Sequence, residues 1–136
     1  MLTATAYGWK IVDIEFDGRA DTYGARSALG SCSAPSYTPG NLYLYGDTIE
    51  IYNSSSHHAL CGTGAEVEAY NVSVHDNYFA YNGPNPGASP GGDSWADGLT
   101  LTGCKTGEVW DNTFVDNTDV DIAIDGWSCD VHDNTI

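Results

Sequence analysis

The sequence predicts an all-β repeat fold: short strands joined by turns, with each coil of chain stacked on the one before. Three observations predict it. Val74-His75-Asp76-Asn77-Tyr78-Phe79 is echoed by Val109-Trp110-Asp111-Asn112-Thr113-Phe114 and again by Val131-His132-Asp133-Asn134-Thr135-Ile136. The last two copies begin 22 residues apart (109 to 131), and the first two 35 apart (74 to 109); a Gly/Pro/Ser-rich insert near 83–95 accounts for the excess. A fixed period of this length marks a repeat architecture. The composition agrees, being rich in Gly, Asn, Asp, Ser and Thr, with nine Tyr, four Trp and only four Lys plus Arg.

Within each repeat, apolar and polar residues alternate, which is the period of a strand with one face buried. Thr48-Ile49-Glu50-Ile51-Tyr52-Asn53 and Val12-Asp13-Ile14-Glu15-Phe16-Asp17 alternate likewise. A second insert near 25–39 separates them, so one register is expected through Ile14, Ile51, Val74, Val109 and Val131. Further strands are expected at 59–61, 98–102 and 120–124. No unit is long enough for a βαβ crossover, so stacking must bury the core. Asn77, Asn112 and Asn134 share one place in successive coils, with Ser54 one coil earlier. Stacked amides there would bond one another and satisfy buried polar groups at a turn. The chain reads as one domain, 1–136, and its final echo stops in mid-repeat at Ile136; a piece of a longer solenoid, or coils that stack end to end on a neighbour, is expected.

The pattern apolar-x-Asp-Asn-x-Phe/Ile at about 22 residues, carried from about Val12 to Ile136, resembles right-handed parallel β-helix proteins of the pectate-lyase-like superfamily. The resemblance implies about five coils of 22–23 residues with two loop insertions. The superfamily holds lyases, hydrolases, epimerases, tailspikes and adhesins, so fold alone does not assign an activity.

Charge narrows the function classes. With 19 Asp and Glu against four basic residues, the formal net charge is −15. Nucleic acid is excluded as a partner, since its phosphates need Lys and Arg, and so is an anionic membrane surface. Cys32, Cys61, Cys104 and Cys129 form no zinc spacing. An even count in such a chain points to disulfides and an oxidising compartment. Three pairings exist; Cys32–Cys61 with Cys104–Cys129 is the one favoured. A secreted or cell-surface protein is expected.

If Val74, Val109 and Val131 point inward, the next residue points out. Tyr52, His75, Trp110 and His132 then form one outward aromatic column, flanked by Glu50, Ser73, Glu108 and Asp130. Aromatic faces beside carboxylates suit sugar rings, so this column is the expected polysaccharide-binding surface; cross-strand packing is the alternative use. A second candidate is acidic. Asn117-Thr118-Asp119, followed by Asp121, partly resembles the Asn-Thr-Asp motif of polygalacturonase-type hydrolases, which implies carboxylate acid/base cleavage. That family's adjacent Asp pair, Gly-His-Gly and Arg-x-Lys are not found here. The catalytic candidates are Asp97, Asp119 and Asp121, with His58 assisting. The same outward acids, Asp119, Asp121 and Asp125, could instead hold calcium through oxygen ligands, or simply face solvent. Lyase chemistry fares worse, because none of Lys10, Arg19, Arg26 and Lys105 falls on the acid cluster. The expectation is an extracellular carbohydrate-active module that binds a polysaccharide and cleaves it with carboxylates. The competing expectation is a non-catalytic structural or adhesive solenoid that stacks into a stalk or filament.

Overall fold

A computed structural model describes residues 2–19, 40–59, 62–83 and 96–136. The protein is all-β, with eleven strands and no helix among the described residues: β1 (Leu2–Val12), β2 (Glu15–Asp17), β3 (Leu42–Tyr52), β4 (Ser55–His57), β5 (Ala65–His75), β6 (Tyr78–Ala80), β7 (Leu99–Cys104), β8 (Thr106–Trp110), β9 (Thr113–Val115), β10 (Ile122–Gly126) and β11 (Cys129–His132). They form two parallel sheets. The larger runs β1-β3-β5-β7-β10, with β8 joining β5 to β11; the smaller runs β2-β4-β6-β9. The chain alternates between the sheets and returns each time beside its previous strand. Both insert regions lie outside the described residues except at Gly83.

The register follows the echoes. Ile11, Ile51, Val74, Val109 and Val131 stand directly opposite one another on successive strands. Leu44, Val67, Leu101 and Ile124 form a second inward column. Phe79 stacks on Phe114 from the smaller sheet, centroids 5.2 Å apart. The expected anchor Ile14 is corrected to Ile11. Asp13 adopts φ 55 and turns the corner between β1 and β2, so the alternation changes phase there. Ile14 is left 42% exposed, bonded through its backbone to Ser54. Asn53, Asp76, Asp111 and Asp133 turn the same corner on later levels, at φ 48, 54, 51 and 53. Asn and Asp are the non-glycine residues that best tolerate this left-handed region. The Asp of each echo therefore makes the turn, and the Asn after it faces inward.

Those inward amides form the expected ladder. The backbone N–H of Ser54 donates to Asn77 Oδ1 (3.0 Å), that of Asn77 to Asn112 Oδ1 (3.1 Å) and that of Asn112 to Asn134 Oδ1 (3.0 Å). Each Nδ2 also donates to a core-strand carbonyl: Asn77 to Ile51, Asn112 to Val74 and Asn134 to Val109. A second ladder occupies the other corner. Ala59 N–H donates to Asn82 Oδ1, Asn82 Nδ2 to Asn117 Oδ1 and Asn117 Nδ2 to Asp121 Oδ1. Its trace in the sequence is plain in hindsight: Asn82 and Asn117 each follow a first-ladder Asn by five residues.

Of the extra strands expected, 98–102 coincides with β7 and 120–124 overlaps β10. Ala59 lies in no strand, and residues 60 and 61 are outside the described residues. Val120 and Ile124, expected to be buried, are 43% and 40% exposed. Val120 precedes β10, and Ile124 lies in that strand, which among the described residues pairs with β7 on one side only. Cys104 and Cys129 form a disulfide across this outer level. The bond closes a loop of 25 residues and is worth about 3 kcal/mol on loop-entropy grounds. Cys32 and Cys61 lie outside the described residues.

Candidate functional site

The long strands bend halfway. In β3, Leu42, Leu44, Ile49 and Ile51 are buried, so the alternation slips between 44 and 49; in β5 it slips between Ala69 and Val72. At the slip two neighbouring side chains both face out, Asp47 with Thr48 and Tyr70 with Asn71. On the next level, Gly103 takes φ 73 near the end of β7, and Lys105 separates β7 from β8. The bend opens a groove of about 540 Å³, walled by Tyr7, Tyr45 and Tyr70 with Asp47 and Glu68. Its three tyrosines are 87%, 47% and 50% exposed. Lys105 Nζ lies 4.2 Å from the ring centre of Tyr70. Sequence reasoning missed this groove, although the double phase slip in β3 and β5 was a readable signal.

The aromatic column beyond the bend is present, and its rings face one another. Tyr52 and His75 are 5.0 Å apart and 4° from parallel, His75 and Trp110 4.2 Å and 13°, and Trp110 and His132 6.3 Å and 8°. Lys10 Nζ sits 4.8 Å over Tyr52, at the column's other end, and pairs with Glu50 at 3.0 Å. The ring faces are therefore occupied by neighbours, and solvent meets chiefly the ring edges. His75 and His132 each bond the following Asp through Nδ1, at 2.8 and 2.9 Å. The hydrogen bond from Asp133 raises the pKa of His132.

The acidic candidates separate. Asp97 precedes β7 at a corner, where its carboxylate accepts from the Thr100 hydroxyl. Burial pushes its pKa up; the Thr100 bond opposes this, and the charge of Asp119 adds to it. Asp97 and Asp119 thus belong together. Burial likewise raises Glu66, with the charges of Glu68 and Asp97 contributing. Asp121 instead terminates the second Asn ladder. Asn117 and Thr118 also turn toward backbone, donating to the carbonyls of Phe79 and Asn82. Asp125 lies opposite Thr102, on the outer level. His58 sits at another corner, with its Nδ1 2.7 Å from that of His57 and its ring stacked on Tyr81 at 5.4 Å.

No known protein family, curated protein or solved structure matches this chain.

Proposed function

We propose that the chain coils as a right-handed parallel β-helix and acts as an extracellular module that binds a neutral or weakly charged polysaccharide along the Tyr7/Tyr45/Tyr70 groove. The coiling is supported by parallel strands that return to one sheet through another, a connection that is overwhelmingly right-handed in proteins. The exposed tyrosines beside Asp47 and Glu68 carry the functional reading. A sugar ring offers a C–H face that packs on an aromatic face, while its hydroxyls donate to carboxylates. Strands repeat every ~4.8 Å along the stack, on the order of one sugar unit. The net charge of −15 disfavours a polyuronate. The column Tyr52–His75–Trp110–His132 becomes the wall that stiffens the adjoining face. The disulfide suits an oxidising compartment.

Cleavage is a second reading, favoured by the raised pKa of Asp97 beside Asp119. A carboxyl whose pKa is raised by burial, beside a second carboxyl, is the kind of pairing that acid/base hydrolysis uses. Affinity electrophoresis against a polysaccharide panel tests the binding: Tyr45→Ala/Tyr70→Ala should abolish the retardation seen with wild type. Retardation of both proteins alike would remove the groove from the reading. New reducing ends that disappear in Asp97→Asn would establish cleavage; none with any bound polysaccharide would leave a binding module.

A further inference from the structure

We propose that Asp17, His57 and His58 form a binding site for a transition-metal dication of the zinc class, with Glu15 as the outer carboxylate that orients His57. The inference does not rest on the polysaccharide reading. Among the described residues this is the one group of three or more candidate ligands whose atoms all lie within 4.8 Å of one another.

The fold builds the site from two strands of the smaller sheet. Parallel pairing sets Asp17 of β2 opposite His57 of β4, and Glu15 opposite Ser55. Successive strand residues point to opposite faces, so His57 and His58 should diverge. They converge because His58 has left the strand for the left-handed corner, at φ 52. His57 Nδ1 then stands 2.7 Å from His58 Nδ1 and 3.6 Å from Asp17 Oδ1, and His58 Nδ1 stands 3.8 Å from the same oxygen. A tetrahedral ion with bonds of ~2.0–2.1 Å holds its ligand atoms roughly 3.3–3.4 Å apart, a value these separations bracket.

Proton placement favours a cation. His57 Nε2 lies 3.0 Å from Glu15 Oε1. With Glu15 Oε1 as the acceptor, the ring hydrogen of His57 lies on Nε2, and Nδ1 presents its lone pair. The two ring nitrogens, at 2.7 Å, stand at hydrogen-bond distance with one proton between them, and a bound ion would spread them to its own ligand spacing. A bound ion displaces that proton and leaves His58 with its hydrogen on Nε2. Carboxylate–histidine–metal relays of this kind fix the tautomer and ring orientation. Asp17 Oδ1 accepts from the Arg19 backbone N–H at 2.8 Å, and Tyr81 stacks on His58, so both remaining ligands are also held. The side chains of His57 and His58 are 14% and 25% exposed and that of Asp17 is 40%, leaving the fourth position open to water. Imidazole nitrogen selects zinc, copper or nickel over calcium or magnesium, which take oxygen.

Chelator-treated full-length chain titrated with zinc chloride by calorimetry is expected to bind one ion. His57→Gln/His58→Gln should weaken that binding at least 100-fold. Glu15→Gln keeps all three ligands and should weaken it about tenfold. His75→Gln/His132→Gln, which removes the two histidines outside the cluster, should leave it unchanged. Cobalt should give the intense visible absorption of a tetrahedral site in wild type and in Glu15→Gln, where a merely structural Glu15 would leave zinc affinity unmoved. Zinc affinity retained in the double His57/His58 variant, no zinc binding by folded wild type, or displacement of zinc by equimolar calcium would each overturn the assignment.

Discussion

Two aromatic surfaces lie along the larger sheet, one at the bend and one beyond it, and they are built on opposite principles. Beyond the bend, Tyr52, His75, Trp110 and His132 stand in strict register, and each ring covers its neighbour. At the bend, Tyr7, Tyr45 and Tyr70 stand where the alternation slips; Tyr7 is exposed and Tyr45 and Tyr70 are half-exposed, with Lys105 over the Tyr70 ring. Regular stacking satisfies aromatic surface within the sheet and leaves little for a ligand. Irregularity exposes it. The column should therefore carry stability, and the groove should carry recognition.

The largest test strikes the floor beneath the column. Asn112 is 1% exposed, and its amide donates to the carbonyl of Trp110 as well as to Val74. Asn112→Ala strands several buried polar groups and should cost about 3 kcal/mol in urea unfolding. Trp110→Ala removes the ring stacked between His75 and His132, and should cost ~2 kcal/mol while sparing polysaccharide binding. A binding loss that exceeds the stability loss would return the recognition surface to the column. Tyr45→Ala or Tyr70→Ala should do the reverse: stability changes within ~0.5 kcal/mol, with binding about tenfold weaker, or ~1.4 kcal/mol.

The smallest effect is a pH dependence on the groove's flank. Burial holds Glu66 above its ordinary pKa of 4.5, so the fold binds a proton more readily than the unfolded chain does. Ionised Glu66 consequently weakens the fold above the raised value, and the penalty vanishes below 4.5. Glu66→Gln should melt higher than wild type at neutral pH and at the same temperature in acid. A gain that persists in acid would mean that packing, not ionisation, is responsible.

Much of the fold was legible because it repeats. Period-2 alternation returning every 22 or 23 residues placed Ile51, Val74, Val109 and Val131 in one column, and the echoed Asn in a ladder. Ile14 was misplaced because alternation alone cannot reveal a residue that turns a corner: the strand runs Ile11-Val12, and Asp13 resets the phase. The second ladder was not legible because Asn82 and Asn117 stand outside the echoed six-residue segments.

Composition and period by themselves determined an all-β repeating chain, its inward columns, its outward aromatic column and its strongly acidic charge. Those properties depend on neighbours in sequence and on a constant step between levels. Which ring faces meet solvent, which acids lie together and where His58 points were decided only in three dimensions. Each depends on a corner, where a left-handed residue redirects the side chains that follow, or on a slip in strand alternation. His57 and His58 are adjacent in the chain and would face apart on a strand; the corner at His58 is what brings them together beside Asp17.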